Sequence, residues 1–266
     1  MSGVASGRSF LFVPGHRPDR FAKAAASGCD AVVLDLEDAV GEDSKVAARD
    51  HVRAWLDDGN HAVVRINGAG TPWFDDDLDA VAGRALAVMV PKAESRASLD
   101  AIARRLPTGT GVIPLIETAL GVAGAVEVCS ADAVVRPAFG SVDLAAQLGV
   151  DHRSLEALRH ARSAVVLAAA AAGCGAPIDG VTTTVDDEDV LRADLAHAVE
   201  LGFTGKLCIH PRQVAAVTEA FTPSDADVAW AREVLAAVTD GSVAVHKGQM
   251  VDRPVLLRAQ AILARV

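Results

Sequence analysis

The chain of 266 residues contains no tyrosine, and aromatic residues make up only 4% of it. No long basic run interleaved with aromatics occurs along it, so a stacking platform for nucleic acid is not expected. The formal net charge of −10 points the same way, since a polyanion would be repelled. A local positive pocket for a small anion stays open. Cysteine is scarce: Cys29, Cys129, Cys174 and Cys208 form no Cys-x-x-Cys pair. Three of them sit among apolar residues, which predicts reduced, buried thiols in a cytoplasmic protein. Long apolar runs are missing too. The most apolar stretch, residues 164–172, is well short of the roughly 20 residues a membrane helix needs and reads as a buried helix. Residues 1–8 lack the apolar stretch of a signal peptide.

Several catalytic signatures are also absent. No Gly-x-Gly-x-x-Gly follows the first apolar run, which weakens a doubly wound nucleotide-binding sheet. There is no His-Glu-x-x-His and no Gly-x-Ser-x-Gly. Ser141, in Gly-Ser-Val-Asp, has no partner motif and reads as a turn residue. No lysine lies within an apolar strand as a Schiff-base aldolase needs. Lys92, after Pro91, is the nearest candidate and ranks below a metal-assisted reading.

What the chain does have is rhythm. Hydrophobic residues make up 51% of it and charged residues 23%. Short apolar runs fall at residues 9–13, 31–36, 62–66, 85–90, 111–116, 133–139, 178–182 and 206–209. Near-continuous apolarity suits parallel strands covered on both faces. Between them lie helical patterns at residues 18–27, 44–56, 95–106, 154–172 and 186–201, several stopped by Gly or Pro. Eight such units predict a single (β/α)8 TIM barrel over residues 1–221. Residues 222–266 form a surplus C-terminal helical extension, which begins with a helix at 225–238 and is placed as a lid or an inter-subunit contact.

In such a barrel the strand ends share one rim. The first run ends in Val13-Pro-Gly-His-Arg17, the second in Asp35-Leu-Glu-Asp38, the third in Arg65-Ile-Asn67, and the fourth in Pro91-Lys92. The fifth ends at Glu117, the sixth at Asp143, and the eighth in His210-Pro211; the seventh carries Asp179. Each has a bland explanation alone: Arg65 or Lys92 as an ion-pair partner of Glu37 or Asp38, His210 as a satisfied core histidine, Asp179 as a turn cap. Together they are costly unless they form a site. Glu117 and Asp143 offer hard oxygen ligands for a cation such as Mg2+, and Arg65 can support a developing oxyanion. Enolate chemistry at a carbon–carbon bond and hydrolysis both fit.

A set of ordered motifs sharpens this. Arg8-Ser-Phe-Leu-Phe-Val-Pro-Gly15, Leu34-Asp-Leu-Glu-Asp-Ala-Val40 with Lys45 and Arg49, Val64-Arg-Ile-Asn67 and Val90-Pro-Lys92 come first. Leu115-Ile-Glu-Thr118, Phe139-Gly-Ser-Val-Asp-Leu144, Gly202-Phe-Thr-Gly-Lys206, Ile209-His-Pro211 and Gly248-Gln-Met-Val-Asp-Arg-Pro254 follow. From Arg8 nearly to the end, the chain resembles the citrate lyase β-subunit-like proteins, grouped with malyl-CoA and citramalyl-CoA lyases in the HpcH/HpaI aldolase superfamily.

The resemblance implies a barrel that binds Mg2+ through Glu117 and Asp143, with Arg65 on the substrate carboxylate or carbonyl oxygen. It implies Glu37 and Asp38 beside the metal, orienting Arg65 or the metal's water, and coenzyme A held near Phe12, Arg17 and Lys23. Read alone, Asp252 is a helix-capping aspartate; the resemblance implies instead an acid that serves an adjacent subunit of a homo-oligomer, a trimer. The implied reaction is Mg2+-dependent cleavage of a malyl-, citramalyl- or citryl-type 3-hydroxyacyl thioester to a 2-oxo acid and an acetyl thioester through an enolate. The thioester is carried by coenzyme A or by an acyl carrier. Malate-synthase-like condensation, thioester hydrolysis, and a non-catalytic subunit that binds CoA or a carrier are the alternatives. A brief segment between Asp143 and Ser154, and the stretch Thr182-Thr-Thr-Val185, depart from the family pattern where the substrate's identity would be read.

Overall fold

A computed structural model of the chain describes residues 2–237, 244–246 and 249–266. Eight parallel strands close into a barrel in chain order: β1 (Ser9–Pro14), β2 (Ala31–Asp35), β3 (Val63–Arg65), β4 (Ala87–Val90), β5 (Gly111–Ile116), β6 (Ala138–Phe139), β7 (Ile178–Asp179) and β8 (Gly205–Cys208). β8 pairs back onto β1 with Ser9 opposite Lys206, so the sheet keeps no open edge. This is the expected (β/α)8 TIM barrel. Phe10, Val33, Met89, Ile113, Leu115 and Leu207 belong to its central core. Their strand neighbours Leu11, Leu34, Val88 and Val112 are buried as well and, by the two-residue pleat, face outward toward the helical layer. Burial on both faces explains the near-continuous apolar runs.

The helices are α1 (Ser2–Ser6), α2 (Phe21–Ala25), α3 (Lys45–Asp57), α4 (Phe74–Val81), α5 (Arg96–Ala103), α6 (Ala119–Ala123), α7 (Ala125–Cys129), α8 (Ser141–Leu148), α9 (Leu155–Ala172), α10 (Glu188–Leu201), α11 (Arg212–Phe221), α12 (Asp225–Ala237) and α13 (Arg253–Leu263). Ser95, Thr118, Ser154 and Asp187 accept first-turn backbone N–H groups and cap α5, α6, α9 and α10. Gly173 and Gly202 close α9 and α10 with φ of 72° and 101°, a conformation that favours glycine. None of the helices among the described residues is long and apolar enough to cross a membrane. All four cysteines are free; Cys129 and Cys208 are buried, whereas Cys29 and Cys174 are only half-buried.

Two expectations change near the sixth and seventh strands. The run 133–139 supplies only Ala138–Phe139 to β6. Val134 makes an isolated bridge to Val112, and Pro137 then has no N–H to give a ladder. The fully buried Arg136 leaves the sheet pattern. It donates to the carbonyls of Gly7 and Ala176 at 2.8 Å each and to Thr204 Oγ1 at 2.7 Å. As a result Asp143 does not end a strand. It lies in the first turn of α8, and Ser141 is the first residue of that helix rather than a turn residue. The seventh run stops at Asp179, because the chain turns at Gly180, where a Cβ would lie 2.9 Å from the Phe139 carbonyl oxygen.

The described residues form two compact units, Met1–Thr218 and Glu219–Val266. In the second, Ala231 and Val234 of α12 and Ala259 of α13 form a small buried core together with Val251. A two-stranded antiparallel hairpin, β9 (Ala244–His246) and β10 (Gln249–Val251), precedes α13. Gly248 of the C-terminal motif lies outside the described residues.

Asp179 is neither a rim residue nor a turn cap. It is fully buried and accepts from Arg162 Nε at 2.9 Å and Lys206 Nζ at 2.7 Å. Burial alone would raise its carboxyl, but Lys206 and Arg162 outweigh burial and hold it below its usual range. Removing the shared anion would strand two buried cations. Asp179→Asn should therefore cost about 3–5 kcal/mol at neutral pH, read by urea denaturation. The depressed native value means that this stabilisation is present above the unfolded value. The gap between wild type and variant should accordingly narrow as pH falls below about 4.

Candidate active site

The last residue of β2, Asp35, is buried at the barrel mouth. Its Oδ1 and Oδ2 each accept a 2.7 Å hydrogen bond from Arg65, at Nε and Nη2, a two-pronged pair between adjacent strand ends. The same oxygens accept the backbone N–H groups of Glu37, at 3.0 Å, and Ala39, at 3.1 Å. One carboxylate thus sets both the Arg65 fork and the turn that follows β2. Arg65 Nη1 lies 3.0 Å from Glu37 Oε2 and 4.0 Å from Asp38 Oδ2. The guanidinium sits over the Phe12 ring, 4.8 Å from its centroid. The expected pairing of Arg65 with Glu37 or Asp38 is present, but its principal partner is Asp35, because the pleat points residues 33 and 35 into the barrel mouth beside Arg65.

Lys92 links the other carboxylates. Its backbone N–H donates to Glu117 Oε1 at 2.9 Å, and its Nζ lies 2.6 Å from Glu37 Oε1 and 3.4 Å from Asp143 Oδ2. Glu117 follows β5 and is almost fully buried. A Cβ at residue 140 would come within 2.6 Å of Glu117 Oε2, so Gly140 makes room for this side chain. Burial, then the neighbouring Glu37 and Asp143, push the Glu117 carboxyl up to about 8. Burial also raises Glu37, against the pull of Arg65 and Lys92. Burial would lower Arg65, but Asp35 and Glu37 reverse this and hold it above its usual value. Lys92 is likewise raised, the Glu37 contact outweighing its burial.

A second layer holds the turn after β2. Lys45, at the start of α3, donates from Nζ to the carbonyls of Leu36 at 2.9 Å and Glu37 at 2.7 Å, and to Asn67 Oδ1 at 2.6 Å. Asn67 donates to Leu36 O and to Asp77, whose other oxygen accepts from Arg49. The Lys45 and Arg49 of the second motif therefore support the site from behind.

Two cavities meet at these residues. One, of about 240 Å3, is lined by Phe12, Arg65, Leu115, Glu117, Phe139 and Asp143, among others. The other, of about 690 Å3, is lined by Glu37, Lys45, Asn67, Trp73 and Lys92, among others. Asp38 lines both. Among the described residues no cluster of three or more His, Cys, Asp or Glu side chains has metal-site spacing. A cation here would rest on two carboxylates and on water or substrate.

A model of the HpcH/HpaI aldolase/citrate lyase family matches residues 8–211. The chain belongs to that family. A citrate lyase subunit beta-like protein of Mycobacterium tuberculosis is 43% identical, over 98% of this chain and 96% of its own length. A (3S)-malyl-CoA thioesterase of Cereibacter sphaeroides is 35% identical, over 97% of this chain and 94% of its own. The crystal structure of protein CitE from Mycobacterium tuberculosis in complex with magnesium, acetoacetate and coenzyme A superposes with a TM-score of 0.83 at 40% identity, covering 98% of each chain. A citrate lyase beta subunit from the same organism, complexed with oxaloacetate and magnesium, gives 0.74 at 40% identity, with 84% of this chain and 100% of that one covered.

Within this family member, Phe12, Glu37, Asp38, Arg65, Glu117 and Asp143 come together at one mouth. Arg17 and Lys23 line neither cavity. Arg17 pairs with Asp19 at 2.7 Å, and Lys23 is exposed on α2. Asp252 caps α13, its Oδ1 accepting the Val255 N–H at 3.3 Å, as its sequence context alone indicates. His210 is only half-buried, and its Nδ1 accepts the Arg212 N–H at 3.2 Å; it is a turn residue rather than a core histidine. The sequence already places Asp35 and Lys92 on the rim, and Lys92 pairs with Glu37 as expected there; what the sequence does not indicate is that Asp35 holds Arg65.

The two kinds of carboxylate should respond oppositely to neutralisation. Glu117→Gln should keep or raise the melting temperature of the cation-free protein at pH 8 and above, because it removes a charge that burial disfavours. Asp35→Asn should lower stability by about 3 kcal/mol, since Arg65 and two backbone N–H groups lose a charged acceptor. Thermal and urea unfolding, run side by side, check both.

Proposed function

We propose that the protein is a Mg2+-dependent carbon–carbon lyase acting on a 3-hydroxyacyl thioester of malyl, citramalyl or citryl type. The observation that carries this reading is the Asp35–Arg65 pair, which presents a fixed guanidinium to the same cavity as Glu117 and Asp143. The donor set fits a hard cation. Both acids supply oxygen, and Glu117 is held off ionisation at neutral pH by burial and by its acidic neighbours, a condition that a positive ion would relieve. Mg2+, when bound, would supply Lewis-acid polarisation of a substrate oxygen.

The chain's own residues account for the rest. Arg65 hydrogen-bonds the substrate's carboxylate or carbonyl oxygen and stabilises the negative charge that develops there. Asp35 keeps the fork in place, and Glu37 and Asp38 orient it. The substrate hydroxyl gives up its proton to solvent at the open mouth, and its oxygen becomes the new carbonyl of the 2-oxo acid. The electron pair of the broken carbon–carbon bond passes to the carbon next to the thioester carbonyl, giving an enolate. Asp252 gives that carbon a proton, leaving an acetyl thioester. The cap of α13 uses Asp252 Oδ1; in this reading the acid serves a neighbouring copy in a homotrimer. Phe12, Arg17 and Lys23 hold the coenzyme A portion. Support comes from the relatives whose structures contain magnesium with coenzyme A and acetoacetate, or with oxaloacetate.

A second reading, thioester hydrolysis, is favoured by the relative named as a malyl-CoA thioesterase. Product analysis separates them: lysis gives a 2-oxo acid and acetyl-CoA, and hydrolysis gives the free hydroxy acid and CoA. Glu117→Ala and Asp143→Ala should each abolish Mg2+-dependent turnover of malyl-, citramalyl- or citryl-CoA in a folded protein, and Arg65→Met should lower kcat by about 10²–10³-fold. Full turnover by either carboxylate variant in chelator-treated buffer would sink the metal assignment.

A further inference from the structure

Lys92 has φ of +50°, the only positive value at a non-glycine residue among the described residues. Such a conformation costs energy and persists only where its surroundings impose it. Here they do so on both sides. Pro91 precedes it, and the Ala93 N–H bonds the Leu115 carbonyl at 3.2 Å, resuming the pairing with β5. The local kink has two results. It turns the Lys92 N–H onto Glu117, and it sends the side chain across the mouth to Glu37 and Asp143. A single residue thus contacts all three carboxylates that crowd this side of the site.

The contacts are unequal. Nζ is 2.6 Å from Glu37 but 3.4 Å from Asp143, and the side chain is 47% exposed, so it has room to pivot. An ammonium beside Asp143 and a divalent cation on the same carboxylate repel each other. An ammonium that stays on Glu37 also occupies an acid that would otherwise be drawn to the cation. We infer that Lys92 is a positioning residue: its ammonium is the resident counter-charge of the Glu37–Glu117–Asp143 cluster, it yields Asp143 to an arriving divalent cation, and it keeps Glu37 out of the ligand set. This rests on the metal reading proposed above. It also gives the strained backbone a purpose, since an unkinked strand end would not aim the amide at Glu117 and the ammonium at Glu37 together.

The test is Mg2+ and Ca2+ titration by calorimetry on cation-free wild type, Lys92→Met and Lys92→Arg, with melting temperatures measured with and without each ion. Lys92→Met should bind Mg2+ about tenfold more tightly than wild type. It should gain still more for Ca2+, because Glu37 Oε1 loses the ammonium and can act as a further oxygen ligand while Oε2 stays on Arg65, and Ca2+ accepts more ligands than Mg2+. Its melting temperature without ions should fall, and its rise on adding Mg2+ should exceed that of wild type. Lys92→Arg, which keeps the charge, should return Mg2+ affinity to near the wild-type value. Lys92→Gly removes both the ammonium and the strain, and serves if Lys92→Met does not fold. Wild-type or weaker Mg2+ affinity in a folded, ammonium-free variant would overturn the proposal while the metal reading stands. A folded wild-type protein that takes up no Mg2+ would overturn both.

Discussion

The two hydrogen bonds between Asp35 and Arg65 are the constraint on which the mouth of this barrel depends. Arg65 ends a three-residue strand and carries a long side chain with many rotamers, so without a partner it would sample the whole opening. The planar fork matches a carboxylate in two places at once, and Asp35 is itself fixed because β2 is buried along its full length. The same Asp35 oxygens take the N–H groups of Glu37 and Ala39. The turn carrying Glu37 and Asp38 is therefore set by the anion that sets the guanidinium. Lys45 and Asn67 hold that turn through the Leu36 and Glu37 carbonyls. Backbone donors are satisfied from one side and acceptors from the other, which leaves the loop little freedom.

This arrangement has an electrostatic consequence. Asp35, Glu37, Asp38, Glu117 and Asp143 face Arg65 and Lys92, so acids outnumber the cations at the mouth. Asp35 is fully matched by Arg65, and Glu37 is shared between Arg65 and Lys92. The imbalance collects at Glu117, which accepts the Lys92 amide and whose carboxyl is raised to about 8. A buried acid next to two others is unfavourable for folding, and a packed apolar side chain would serve stability better. The contrast with Asp179 is instructive. That acid is also buried, but Arg162 and Lys206 match both its oxygens and hold it ionised. One cluster is closed and structural; the other is left short of positive charge at the edge of a cavity.

Much of this was legible from sequence, for physical reasons that differ along the chain. β1 to β5 lie within two residues of the apolar runs because strands buried on both faces leave an uninterrupted apolar signature. β6 and β7 are shorter than their runs because Pro137 and Gly180 matter more than apolarity there. α8 escaped notice because Gly140-Ser141 reads as a turn, although a serine at a helix start is ordinary; Asp143 consequently moved from a strand end to a helix. Glu117, Asp143 and Arg65 were identifiable as polar residues where apolar runs stop. The two-pronged partner of Arg65 was not, since Asp35, Glu37 and Asp38 all lie in one short acidic stretch and only the pleat selects Asp35. The kink at Lys92 has no sequence signal at all, because lysine carries no preference for positive φ.

The end of the barrel where the strands begin has a different character from the mouth. Arg136 meets the carbonyls of Gly7 and Ala176 and the hydroxyl of Thr204 where the strands begin, a purely satisfying role that leaves nothing for a ligand. At the ends of the strands the satisfied groups are those that fix position, namely Asp35, Lys45 and Asn67. Among the acids that line the cavity, Glu117 is the one left short of positive partners. A rim with every polar group matched would be more stable and chemically inert. A rim with none matched would not hold its side chains still. The mouth of this barrel takes a middle course: its rigidity comes from the matched Asp35, Lys45 and Asn67, and the shortage of positive charge falls on Glu117, where a cation entering the cavity would relieve it.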